Sequence, residues 1–179
     1  MNAEKFTQKS LEAVREAQEC AIRNQNMQID QQHLLYALLK QEGGLIAQLM
    51  KKMRVDAARM ATACDREIQR IPKVSGPGRE ADKIYISQAV DAALQEAETQ
   101  AQGMKDEFIS VEHIMLGLIE KPNGAVKAIF NEFGVTREGF LADLQKVRGN
   151  TRVTSENPED TYDALLKYGT DLTELARSQ

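Results

Sequence analysis

Through the first 150 residues, apolar positions recur three and four apart, the spacing of a helix with one buried face. From about Thr7 to Asn24, the residues Leu11, Val14, Ala17 and Ala21 form such a stripe, and Val90, Ala93, Leu94 and Ala97 form another. New helices are predicted after Asp30 and Ser110, whose short side-chain oxygens can accept a free first-turn amide. An apolar residue before each cap and another four positions into the helix, Ile29 with Leu34 and Ile109 with Ile114, complete a hydrophobic staple. Val55-Asp56 with Met60 and Val135-Thr136 with Phe140 repeat the device. Gly43-Gly44 and Pro122-Asn123-Gly124 break the chain ahead of two more apolar runs: Ile46, Leu49, Met50 and Met53, then Val126, Ile129, Phe130 and Phe133. No alternating segment of strand length interrupts the pattern, so the predicted fold is all-α.

These elements come in pairs. Ile29-Asp30-Gln31-Gln32-His33-Leu34-Leu35 is answered by Ile109-Ser110-Val111-Glu112-His113-Ile114-Met115, an offset of 80 residues. The same offset, without a gap, pairs Gln8 with Gln88, Ala13 with Ala93, Glu16 with Glu96, Ala17 with Ala97, Leu38 with Leu118, Gly44 with Gly124 and Val55 with Val135. A register held this far implies two copies of one helical unit. The expected architecture is a domain over residues 1–150 made of two tandem pseudo-symmetric four-helix repeats, eight helices in all. The repeats run from about 4 to 71 and from 84 to 149. Ile71 to Gly78 joins them and its prolines exclude helix. Residues 151–160 are polar, contain Pro158 and read as a flexible linker. Residues 161–179 carry a short amphipathic pattern, Leu165, Leu166, Tyr168, Leu172 and Leu175, which one helix cannot bury alone. They are expected to open a further domain.

Composition narrows the function classes. Hydrophobic residues are 42% of the chain and aromatics 5%, with no Trp, which suits a helical core of Leu, Ile, Val, Met and Ala. The net charge of -4 and the absence of a Lys/Arg stripe argue against nucleic-acid binding. Neither a signal core nor a membrane-length apolar run occurs, so a cytoplasmic protein with no membrane partner is expected. Cys20 and Cys64 each fall in a helical pattern and read as buried, reduced thiols. His33 and His113, the two histidines, hold equivalent helix-start positions, which points to scaffolding. With no His-x-x-x-His and no Cys-x-x-Cys, no metal site is expected. Ser75-Gly76-Pro77-Gly78 lacks the Gly-Lys ending of a phosphate loop, and its prolines remove amides a phosphate would need. Glu12, Glu16, Glu19, Glu96 and Glu98 read as solvated helix faces. No catalytic residue and no cofactor is expected in this chain.

Two four-helix units, each with an Ile-x-x-x-His-(Leu/Ile)-(Leu/Met) helix start, resemble the N-terminal domain of the Clp/Hsp100 ATPases. Leu39-Lys40-Gln41-Glu42-Gly43-Gly44, Ile71-Pro72-Lys73-Val74 and the ending Tyr162-Asp163-Ala164-Leu165-Leu166-Lys167-Tyr168-Gly169-Thr170-Asp171-Leu172-Thr173 are similar to the ClpB-type disaggregase branch. The resemblance implies a substrate-binding module that engages unfolded or aggregated polypeptides through an apolar groove and delivers them to a homohexameric ATPase ring. ATP, Mg and the nucleotide loop would belong to that ring, downstream of this chain. Co-operation with the DnaK chaperone system is implied for the full-length protein, and a monomer is expected for the fragment.

The resemblance places substrate contacts at Thr7, Leu94, Asp106 and Glu112, to which helical spacing adds Val90, Val111 and Met115. The alternative it leaves is an adaptor-docking N-domain of a protease-coupled ClpC/ClpA-type unfoldase. In the ClpC branch a Glu precedes the His of both copies and binds phosphorylated arginine. Here Glu112 keeps the acid, but Gln32 replaces it in the first copy, and a neutral amide offers no charge-assisted contact to a guanidinium derivative.

Overall fold

The computed structural model describes residues 2–76 and 84–158. The end segment 161–179 and part of the inter-repeat linker lie outside the described residues. The first copy holds α1 (Gln8–Arg23), α2 (Gln31–Lys40), α3 (Leu45–Lys52) and α4 (Ala57–Gln69); the second holds α5 (Gln88–Gly103), α6 (Val111–Glu120), α7 (Gly124–Phe133) and α8 (Arg137–Arg148). Two-residue strands, β1 (Gln28–Ile29) and β2 (Tyr85–Ile86), and a 3-10 turn at Ala3–Lys5 complete the described elements. The all-α, eight-helix, duplicated reading holds.

The caps sit where short polar side chains predict them. Thr7, Asp56, Ser87 and Thr136 each accept a first-turn amide through the side chain. Asp30 and Ser110 use a variant in which the third helical residue is histidine: the Asp30 and Ser110 amides donate to Nδ1 of His33 and His113, both at 2.9 Å. Backbone outliers obey the duplication as well. Gln25 and Lys105 have φ of 57° and 58°, and Arg54 and Gly134 have 62° and 70°. The left-handed residue that stops a helix therefore recurs at the 80-residue offset, even where it is not glycine.

The copies interlock rather than stand side by side. The segment before α5 pairs with the segment before α2: β2 lies parallel to β1, with Tyr85 opposite Gln28 and Ile86 opposite Ile29. Its symmetry mate, the segment before α1, pairs with the segment before α6 through a parallel bridge between Phe6 and Ile109. Correspondingly, the Ser87 amide donates to the Ile29 carbonyl at 2.9 Å and the Thr7 amide to the Ile109 carbonyl at 3.0 Å. Each copy thus finishes a helix start of the other.

A seam of polar side chains adds to this. The buried Gln31 donates through Nε2 to the Ala89 and Lys121 carbonyls, both at 2.8 Å, and its Oε1 accepts the Asn123 amide at 2.8 Å. One continuous hydrophobic cluster draws residues from both copies. Its middle is α6, where Val111 through Leu118 are all buried, because a helix apolar around its circumference is covered on every side. Gly117 lets α5 approach it: a Cβ there would lie 2.1 Å from the Ala93 carbonyl oxygen. Cys20 and Cys64 are buried free thiols, and burial pushes Cys64 up to about 12.

One boundary changes. Residues 151–156, expected as the first part of a flexible linker, lie against the domain. Val153 is fully buried and the Gln8 amide donates to the Glu156 carbonyl at 2.9 Å. The linker reading rested on polar composition, which does not register one buried anchor and the backbone bonds beside it.

Candidate functional site

The seven positions expected to meet substrate are not surface residues. Thr7, Glu112 and Met115 are fully buried, and Val111, Val90 and Leu94 are 1%, 2% and 5% exposed. The Asp106 side chain is also fully covered. The structure does bring them together, as scaffold. Val90 and Leu94 are on the buried stripe of α5, Val111 and Met115 are on α6, and all four belong to the one core cluster. Thr7 caps α1; its hydroxyl donates to Ser10 Oγ at 3.0 Å, and Ser10 Oγ donates to the Ile109 carbonyl at 2.9 Å. An apolar groove rimmed by these side chains is therefore absent from this conformation, because the spacing that suggested a groove is the spacing of the helix–helix core. The residue before each histidine is buried too: Gln32, 6% exposed, accepts from Asn123 Nδ2 at 2.8 Å across the seam, and Glu112 is inside.

Asp106 anchors the charged centre of the second copy. One carboxylate oxygen accepts Arg148 Nη2 at 2.7 Å and the Val153 amide at 2.9 Å, while the other faces His113 Nε2 at 2.7 Å. Burial alone would raise this carboxyl, but the bonds from His113, Arg148 and the Val153 amide outweigh it and hold Asp106 at about 2. His113 Nδ1 accepts a backbone amide, so the ring proton sits on Nε2 and is donated to Asp106. The ring is neutral and burial lowers its proton affinity. Asp106 and Arg148 are then the charged pair.

The first copy makes a similar array without the buried ion pair: Asn26 Oδ1 meets His33 Nε2 at 2.8 Å, Asp30 takes the place of Ser110, and the residue 80 before Arg148 is Ile68. Burial takes His33 down to about 4.

Ser110 Oγ lies 3.0 Å from His113 Nδ1, so Ser110, His113 and Asp106 are connected in the order of a hydrolase triad. The arrangement cannot work as one. Nδ1 is already occupied by the Ser110 amide, the hydroxyl is fully buried, and the first copy builds the same cap with Asp30 in place of the serine. The array orients two helix starts. Among the described residues no group of three or more His, Cys, Asp or Glu is placed to hold a metal, and no helix is long and apolar enough to cross a membrane.

What the surface does offer was missed in the sequence. The large hydrophobics exposed among the described residues are Met27, Val74 and Tyr85, at 38%, 41% and 67%. They converge. Met27 adjoins β1, Tyr85 is in β2 beside it, and the Val74 amide donates to the Gln25 carbonyl at 2.8 Å. Met27 and Val74, with Gln28, Asp30, Ile71 and Pro72, line a shallow cavity of about 160 Å³. The signal was there: Met27 and Tyr85 stand outside every helical stripe, and Val74 lies in a Pro/Gly segment where no core position was needed.

The family model of the Clp repeat (R) N-terminal domain matches residues 5–162. The chain belongs to this family. The Clp N-domain sequence is 45% identical over 178 residues to a chaperone protein ClpB of Nitratidesulfovibrio vulgaris, and 39% identical over 178 residues to a chaperone protein ClpB of Bacillus cereus. Each match covers 99% of this chain and 21% or 20% of the relative, so the chain spans about a fifth of the length of these curated relatives. Among solved structures, the Hsp104 N-terminal domain from Candida albicans superposes with a TM-score of 0.75 at 25% identity, covering 87% of this chain and 99% of that one. The matched family region is an N-domain and carries no ATPase domain.

Proposed function

We propose that this Clp N-domain engages unfolded or aggregated polypeptides, and that it does so with the apolar patch of Met27, Val74 and Tyr85 at the junction of its two copies. The observation that carries the reading is that Met27 and Val74 line one shallow cavity and the exposed Tyr85 lies on β2, paired with β1 beside it. Similarity to ClpB chaperones supports a protein client over a small molecule. A fully buried side chain of this kind contributes about 1.5–3 kcal/mol. Three partly exposed ones then supply a few kcal/mol, against an association cost of about 4 kcal/mol or more. Binding is weak, tolerant of sequence and easily reversed, as release of a client requires. In the whole protein this module delivers its clients to a homohexameric ATPase ring working with the DnaK chaperone system.

The test is an NMR titration of the chain with a permanently unfolded polypeptide such as reduced, carboxymethylated α-lactalbumin. Shifts are expected at Met27, Gln28, Val74 and Tyr85, and the double substitution Met27→Ser, Tyr85→Ser should weaken binding severalfold without moving the melting temperature. Shifts confined to other surfaces, or saturable binding of one folded adaptor with no response to unfolded chains, would reject the reading.

A further inference from the structure

The stretch after α8 turns back at Gly149, whose φ of 56° and ψ of −123° suit glycine, and runs as an irregular strap toward the start of α1. Its contacts are of a particular kind. Val153 uses both backbone groups, donating to the side-chain Oδ1 of Asp106 at 2.9 Å and accepting the Glu107 amide at 2.8 Å. Three residues on, the Glu156 carbonyl accepts the Gln8 amide at 2.9 Å, and the Glu156 carboxylate meets Gln8 Nε2 at 3.3 Å. The Val153 side chain is fully buried, whereas Thr151, Arg152, Thr154, Ser155 and Glu156 are exposed. Arg148 Nη2 also donates to the Thr151 carbonyl at 3.1 Å, Arg152 Nη1 donates to the Met104 carbonyl and Pro158 is buried, so the slot reads mainly backbone groups and one small branched apolar side chain.

The receiving groups do not depend on the strap. Asp106 is fixed by His113 and Arg148, Glu107 is in the loop that Asp106 anchors, and Gln8 is the first residue of α1, where amides need partners from outside the helix. With the strap withdrawn, the slot keeps a carboxylate acceptor, two amide donors and an apolar hole.

From this geometry we infer that the slot between the Asp106–Glu107 loop and the α1 start is a binding site for a peptide bearing a small β-branched residue, and that residues 150–156 occupy it as an internal competitor. Recognition is by backbone hydrogen bonds with one side-chain anchor. A peptide that takes the slot frees the chain beyond α8, so occupancy in trans and release of the exit segment are one event. The tether gives the strap an effective concentration on the order of millimolar, and a peptide in trans must compete with it. The inference is independent of the patch at Met27, Val74 and Tyr85.

The test uses a fluorescent peptide with the sequence of residues 150–158, Asn-Thr-Arg-Val-Thr-Ser-Glu-Asn-Pro, and a control carrying Asp in place of its Val. Val153→Asp in the full chain expels the strap and leaves the slot untouched; Val153→Gly serves the same purpose should the aspartate variant fail to fold, judged by circular dichroism. By anisotropy, the peptide should bind the strap variant at least about tenfold more tightly than the native chain, and the control peptide should bind neither. In the strap variant, amide shifts on binding should centre on Gln8 and Glu107, and Met27→Ser, Tyr85→Ser should leave the affinity unchanged. Equal binding to native and variant chains, no binding to the folded variant at millimolar peptide, or shifts away from Gln8 and Glu107 would each overturn the inference.

Discussion

Replacing Asp106 by Asn asks whether the charged centre of the second copy is held by charge or by shape, and the first copy supplies the control. Asn26 already performs the Asp106 duty toward a histidine, accepting the His33 Nε2 proton at 2.8 Å on the same local backbone. Asparagine at 106 can therefore keep the bond to His113, but its single oxygen then leaves Nδ2 facing the Val153 amide that the second carboxylate oxygen accepted. What it cannot do is neutralise Arg148, which is 7% exposed and bonded to Asp106 at 2.7 Å. Removing one member of a buried pair costs about 3–5 kcal/mol, because the remaining charge stays desolvated. A domain of this size has roughly 5–15 kcal/mol of stability in total. Asp106→Asn alone should thus consume a large share of it, and Arg148→Ile alone should cost a comparable amount by orphaning the carboxylate.

Together the two substitutions recreate the residues of the first copy, Asn26 and, 80 residues before Arg148, the fully buried Ile68. The double variant should return to within about 1–2 kcal/mol of the native chain, giving a favourable coupling of at least about 3 kcal/mol in a double-mutant cycle. Urea unfolding at pH 7, followed by far-ultraviolet circular dichroism, measures all four corners of the cycle. Additive single costs would refute the reasoning, as would an Asp106→Asn cost under about 1 kcal/mol, which would mean that Arg148 finds adequate solvation elsewhere.

Three further outcomes follow from contacts already described. Gly117→Ala gains helix propensity of about 1 kcal/mol yet should destabilise by about 2 kcal/mol or more, since the methyl would lie 2.1 Å from the Ala93 carbonyl oxygen; a rise in the urea midpoint would contradict the packing. Gln31→Leu strands two carbonyls and the Asn123 amide at the seam, costing about 3 kcal/mol and lowering the melting temperature by roughly 6–12 °C, with faster hydrogen exchange at Asn123 as the local sign. Stability should also fall as pH drops from about 6.5 toward 4, because the unfolded chain takes up a proton at His33 that the folded chain, with its His33 near 4, refuses. His113 is lowered in the same sense. The slope should approach about 1.4 kcal/mol per pH unit for each histidine. Asp106 works in the same sense over a lower window, its contribution being present above about 3.8 and lost as pH falls toward 2. A flat urea midpoint between pH 7 and 4.5 would show that the rings are not held neutral.

What could be read from the sequence was whatever local chemistry decides. The caps at Asp30, Asp56, Ser110 and Thr136 precede helices that begin at the next residue, because a cap acts on amides two or three positions away. The 80-residue register carried the whole second copy with it, down to the left-handed residues at Gln25 and Lys105. The histidines were legible as scaffold for the same reason, each bonding a backbone amide three residues back. Periodicity failed where it could not say which of two apolar stripes faces a partner helix. Val90, Leu94, Val111 and Met115 carry equally good spacing for a groove or a core, and the decision came from α6 being apolar all round. Glu112 was read as a surface acid, although its neighbours His113 through Leu118 include no charged residue and are all buried.

The features that matter most for binding were hidden by distance along the chain. Phe6 meets Ile109, Gln8 meets Glu156, and Gln31 meets Asn123, and no local pattern reports such pairings. Duplication then explains where function can enter. In each copy the chain beyond the fourth helix returns to the loop between the first two: the Val74 amide reaches the Gln25 carbonyl, and Val153 reaches Asp106 and Glu107. The first return leaves Val74 41% exposed, beside Met27 and Tyr85; the second buries Val153 completely. The two returns differ in their bonds, Val74 meeting a backbone carbonyl and Val153 a side-chain carboxylate, and one leaves its apolar residue exposed while the other buries it. At position 26 and its counterpart 106 an amide in the first copy becomes, in the second, a carboxylate that holds both an arginine and a passing backbone amide.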